Sequence, residues 1–142
     1  MDAPAPAGRV LAIDPGQRRI GIAVSNSART VAFPRQALDA GDDAPERLAH
    51  LVVEEMVTVV VVGLPRALDG REGASAKAAR QLGAALESRV GEDVEVTYHD
   101  ERLTTVEASR GLRAAGQSSK EQRAAIDSAA ATVLLEAWMM GR

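Results

Sequence analysis

The chain contains no cysteine. That excludes disulfide bridging and thiolate metal sites, zinc ribbons included, and is compatible with a reducing compartment. Aromatic residues are almost missing as well, with one Phe, one Trp and one Tyr, so aliphatic and alanine packing must build the core. No apolar run approaches the ~18 residues that a membrane span needs. The opening "MDAPAPAG" also lacks the basic, apolar and small-residue succession of a secretory signal. We read these absences as a cytoplasmic protein without a membrane partner, in which residues 1–8 are a disordered tail. The 142 residues suit one domain, over 9–142, that buries roughly 70% of the surface its unfolded form exposes.

An excess of positive charge is missing too. The net charge is −3 and the pI 5.4, so any site for a polyanion must be local rather than spread over the molecule. Of the 17 basic residues 15 are arginine, whose planar fork suits phosphate oxygens as well as carboxylates. The bias is equally compatible with genome composition, as are the 27 alanines.

What is present reads as an alternating α/β chain. Val10–Ile13 and Ile20–Val24 are two strands joined at "DPGQRR", and "ARTVAFPRQAL" is a third, with Pro34 favouring an edge. "GDDAPERLAHLVVEEM" has Leu48, Leu51, Val52 and Glu55 at helical spacing, with Pro45 in the first turn. The β-branched run "VTVVVVGLP" has the pattern of a central parallel strand covered on both faces. A helix over Ala74–Arg89 follows, its stripe Ala78, Leu82, Ala85 and Leu86, and then the strand "DVEVTYHDE". "LTTVEASRGLRAAG" starts another helix, with Thr104 and Glu107 as a capping box, and a last helix runs from "SSKE" to about Met140. The alternation implies right-handed crossovers and a parallel half-sheet.

Three acidic positions fit poorly in a purely structural reading. Asp14 ends the first strand, Asp100 and Glu101 end the last, and Asp127 lies in the apolar "AAIDSAAATVLLEAW". On that helix Ile126, Ala130, Val133 and Ala137 form one stripe, with Asp127, Ala131, Leu134 and Trp138 beside it. Small alanines around Asp127 let the backbone approach the strand ends, where ligands bind in parallel sheets. Carboxylates converging there repel one another unless divalent cations neutralise them. Hard oxygen donors favour Mg²⁺ or Mn²⁺ over zinc, and two such ions can drive in-line attack on a phosphodiester. Arg18, Arg19, Arg66, Arg71 and Arg102 flank those strand ends and are candidates to position a phosphate backbone. Taken singly, each has a structural alternative: Asp14 as a turn former, Asp100 or Glu101 as a loop marker, Asp127 as the ion-pair partner of Arg123, and the arginines as a solvated face.

Four segments in order carry a resemblance: "LAIDPGQRRIGIAVS", "VVGLPRALDGREG", "DERLTTVEA" and "IDSAAATVLLEAW". Together they make the chain similar to the YqgF/RuvX family, whose members are regarded as Holliday junction resolvase or pre-16S rRNA nuclease candidates. The resemblance covers Val10 to Met139. It implies a ribonuclease H-like fold with a five-stranded mixed sheet, three antiparallel strands followed by parallel ones, flanked by helices. It carries an acidic triad onto Asp14, Glu101 and Asp127 as both catalytic and metal-binding residues, and makes Gly63, Arg102, Thr104 and Thr105 substrate contacts. It also implies a part in maturing the small-subunit rRNA precursor, on ribosomal particles or free RNA, or in cleaving branched DNA.

Two departures from the family pattern stand out. Asn26 occupies a place where an acid is common, and Ala67 one where Asn is common. The reading is therefore a metal-dependent nuclease for structured nucleic acid, monomeric or homodimeric. The rivals are a factor that binds nucleic acid or ribosomes without cleaving, and a phosphotransferase using ATP. The second is disfavoured by the short chain and by the absence of a Walker-type segment.

Overall fold

The strand pattern of the sequence becomes one mixed sheet in the computed structural model, which describes residues 8–67, 69–101 and 119–141. In chain order the elements are β1 (Arg9–Pro15), β2 (Arg19–Ser25), β3 (Ala32–Asp39), α1 (Ala44–Glu54), β4 (Val57–Leu64), α2 (Ala74–Glu87), β5 (Glu95–Asp100), α3 (Ser119–Asp127) and α4 (Ala129–Gly141). The strands lie in the order β3-β2-β1-β4-β5. β1, β2 and β3 pair antiparallel, whereas β4 runs parallel to both β1 and β5. The helix expected after β5, with its Thr104 and Glu107 cap, lies outside the described residues.

Strand alternation sorts the core into two layers. Leu11, Ile13, Ile22, Val60 and Val62 face α1 and α2. Val10, Ala12, Ala23, Val59 and Val61 face α4, where Ala131, Leu134, Leu135 and Met139 meet them. The β4 run is thus buried on both sides, as its continuous apolar pattern predicts. Pro34 lies on β3 at the sheet edge, and Pro45 stands in the first turn of α1, where a missing amide hydrogen costs no helical bond.

Two helical stripes differ from expectation. On α2 the buried residues are Ala76, Ala79, Gly83 and Leu86, while Ala78 is exposed. The rotation has a steric cause: a Cβ at Gly83 would fall within van der Waals overlap of the Tyr98 ring, so that ring occupies the space over the glycine. On the last helix the stripe of Ala131 and Leu134 faces the sheet, and Ile126 points outward at 69% exposure.

The last helix is also not continuous. It is interrupted at Ser128, although helical bonds still run from the Ser128 amide to Ala124 and from the Thr132 amide to Ser128. The buried Ser128 hydroxyl accepts from the Ile22 amide at 3.0 Å and donates to the Arg35 carbonyl at 2.6 Å. It stands where β2 and β3 shift register between Ile20 and Ile22, a bulge in which two residues of one strand oppose one of the other. A helix side chain therefore closes a gap in the ladder.

Replacing Ser128 with alanine leaves the Ile22 amide and the Arg35 carbonyl without that partner. Stranding buried polar groups costs about 1–3 kcal/mol. We expect Ser128→Ala to lower the urea midpoint by an amount equivalent to about 2 kcal/mol, with an unchanged m-value; an unchanged midpoint would show the bridge to be dispensable.

Candidate active site

Asp14, Gly63 and Glu101 meet on the α4 side of the sheet at the C-terminal ends of β1 and β4 and just past β5. Alternation places Asp14 on the same face as Val10 and Ala12. Gly63 follows one step beyond the Ile13–Val62 pairing, and β5 pairs with β4 through Leu64 and Asp100. A Cβ on Gly63 would lie 2.7 Å from Glu101 Oε1 and 3.2 Å from Leu134 Cδ2. The missing side chain of this buried glycine thus makes room for the Glu101 carboxyl.

That carboxyl shares a hydrogen bond with Asp14. Burial, the Asp14 hydrogen bond, and the charges of Asp14 and Asp100 push the Glu101 pKa up from 4.5 to about 8. Among the described residues Asp14 has no ion pair with a base. A strand-terminal aspartate that costs free energy when buried is here answered by a second acid and the proton between them.

Asp127 is close in backbone but not in side chain. A Cβ on Gly21, the register partner of Asp14, would lie 3.3 Å from the Asp127 carbonyl oxygen and 3.5 Å from Ser128 Cα. The Asp127 carboxylate instead accepts from Arg19 Nη1 at 3.1 Å, the partner being Arg19 rather than Arg123. Among the described residues no three His, Cys, Asp or Glu side chains stand close enough to hold a metal ion. The three acids thus divide into a joined pair, Asp14 and Glu101, and a third held apart by an arginine.

The other candidates fall into distinct settings. Arg18 is exposed in the β1–β2 turn, its carbonyl accepting from the Ala40 amide. Arg66 reaches Glu72 at 3.3 Å and Asp100 at 3.8 Å, so it borders the acid pair through Asp100. Arg71 is fastened to Asp69 at 2.6 Å. Arg102, Thr104 and Thr105 lie outside the described residues.

Asn26 does not belong to this site. It lies five residues beyond Gly21 along β2, about 16 Å away at about 3.3 Å per residue. Its side-chain oxygen accepts from the amides of Thr30 and Val31, which fixes the β2–β3 turn. Ala67 is exposed, and its backbone closes a turn with Gly70. Ser128 and the Arg19–Asp127 pair were not expected from the sequence. The only hint of Ser128 was a polar residue amid alanines, and the ion pair joins residues 108 positions apart.

A parallel and antiparallel sheet in this strand order, with helices on both faces, defines a ribonuclease H-like fold. The fold is shared with Thermus thermophilus RuvC in complex with a Holliday junction substrate, at TM-score 0.61 and 14% identity over 91% of this chain and 90% of that one. A second RuvC structure from Thermus thermophilus superposes at TM-score 0.55 and 16% identity, covering 94% and 96% of the two chains. The family profile described as RuvX, Holliday junction resolvase, matches residues 8–141, and the chain belongs to that family of nucleases. A Mycobacterium leprae relative named "Putative pre-16S rRNA nuclease" is 50% identical over 134 residues, 93% of this chain and 72% of its own length. A Mycobacterium tuberculosis relative of the same name is 46% identical, with 93% and 78% covered.

The raised Glu101 pKa makes stability depend on pH. Between 4.5 and about 8 the folded carboxyl keeps a proton that the unfolded one loses, so stability falls as pH rises through that window. Glu101→Gln has no proton to lose. Its melting temperature relative to wild type should therefore rise steadily between pH 5 and pH 8; a constant difference in thermal melts across that range would contradict the shared proton.

Proposed function

We propose that this chain is a metal-dependent endonuclease, its catalytic domain spanning 9–142, that hydrolyses phosphodiester bonds in structured nucleic acid. The carrying observation is the Asp14–Glu101 pair, two hard oxygen donors hydrogen-bonded to each other at parallel strand ends. Their chemistry fits Mg²⁺ or Mn²⁺, and the raised proton affinity is what a divalent cation would relieve. Asp127 would complete the donor set if its carboxylate turned from Arg19. A bound cation there would lower the pKa of an attacking water and stabilise the leaving oxygen. Glu101 would complete the coordination or orient that water. Arg18 and Arg66 hold phosphates beside the acids, with Arg102, Thr104 and Thr105 as further contacts.

The names of the mycobacterial relatives support the precursor of 16S rRNA as substrate; the cytoplasm as the place of action, on ribosomal particles or free RNA, belongs to the same proposal. The family description supports a second reading, cleavage of branched DNA, which calls for a homodimer carrying two active sites.

The test is cleavage of end-labelled pre-16S rRNA, single-stranded RNA and a four-way DNA junction with Mg²⁺, Mn²⁺ or chelator. We expect metal-dependent cleavage of the rRNA precursor, lost in Asp14→Asn, Glu101→Gln and Asp127→Asn. Preference for the junction would select the second reading, and binding without cleavage of any substrate would make the chain a non-catalytic factor. Gly63→Ala offers a finer check, because its methyl group meets the movable end of Glu101. We expect a small loss of stability with a roughly 100-fold loss of cleavage, the scale that a displacement of about 1 Å produces. Full activity in that variant would remove Glu101 from the mechanism.

A further inference from the structure

We propose that the cleft between β3, α1 and α3 is a second seat for the phosphodiester backbone of the substrate; this rests on the nuclease reading above. The cleft has a volume of about 610 Å³, and four cations line it: Arg19 from β2, Arg47 from α1, and Lys120 and Arg123 from α3. Two acids, Asp39 and Asp127, share the lining, and Asp127 is already matched by Arg19 at 3.1 Å. Arg47, Lys120 and Arg123 form no ion pair with a described residue. In a chain of net charge −3, three cations against the one remaining acid, Asp39, among the described residues of the lining depart from the average surface and focus a local positive potential.

The arrangement favours a polymer over a single small anion. The cations sit on three separate elements around a cleft open to solvent, so they meet successive phosphates rather than wrapping one. Among the described residues no aromatic side chain lines the cleft, which offers no platform for base stacking and makes the contact one of position rather than sequence. Its inner end is also tied to the acids. Arg19 and Asp127 line it, and the Asp127 backbone packs on Gly21, the register partner of Asp14. A strand held here lies beside Asp127, the third acid of the proposed site.

The experiment measures binding of a labelled four-way DNA junction and a hairpin RNA across a salt series, in chelator so that nothing is cut. It uses wild type, the triple variant Arg47→Gln/Lys120→Gln/Arg123→Gln, and Lys77→Gln on the exposed face of α2 as a control outside the cleft, with thermal melts to establish folding. Each lost duplex phosphate contact lowers the slope of log K against log salt by about 0.9, so the triple variant should lose about 2.7 while Lys77→Gln keeps the wild-type slope. An unchanged slope and affinity in the folded triple variant overturns the proposal and leaves the nuclease reading standing. If wild type binds neither probe, the nuclease reading fails and this inference with it. Calorimetry with inorganic phosphate at matched ionic strength separates the remaining source. Saturable phosphate binding lost in the triple variant, with nucleic-acid binding intact, assigns a small-anion site and overturns the backbone seat.

Discussion

Two carboxyl groups within hydrogen-bonding reach cannot both be charged unless positive charge lies near them, and the surroundings of Asp14 are arranged so that one stays protonated. The strands on either side present glycine at that level, Gly21 on β2 and Gly63 on β4, so neither places a side chain over the site. Into the space above Gly63 comes the Glu101 carboxyl, and onto Gly21 packs the backbone at Asp127 and Ser128. The nearby bases are engaged elsewhere, Arg19 with Asp127 and Arg66 with Glu72 and Asp100. A proton is the charge that remains, and it is one that a divalent cation can displace.

Holding Asp127 close depends on a hydroxyl as well as on the apolar packing of α4. Ser128 bridges β2 and β3 where their register shifts, and in doing so it pins the junction of α3 and α4 to the sheet. The same bulge puts Gln36 and Ala37 along the cleft. One irregularity in the ladder thus seats the third acid and shapes the neighbouring basic surface.

Much of this was legible in the sequence, for reasons that particular residues show. The five strands follow from alternation and from the β-branched run at Val59–Val62, and the edge position of β3 follows from Pro34. Asp14 and the pair Asp100 and Glu101 were legible because a strand end is a local property, while the choice of Glu101 between the two came from the family resemblance. The pairing of Asp127 with Arg19 was not, since charge partners are set by side-chain reach across the fold, and the four-residue spacing to Arg123 pointed to another partner. The α2 stripe was legible at Leu82 and Leu86 but missed its small-residue side for a similar reason: Gly83 is buried beneath Tyr98, and no helical periodicity counts glycine as a core residue. Asn26, an unsettling departure in the motif, is structurally a turn residue at the far end of the sheet.

The outer margin of β3 bears on self-association. An open strand edge invites another chain to extend the sheet, and proteins resist this with proline, bulges and charge. β3 combines all three within eight residues: Pro34 removes an amide donor, the register shift breaks the straight run, and Arg35 and Asp39 add charge. A second copy of this molecule therefore finds no flat template there, which works against a symmetric pair that continues the sheet across β3.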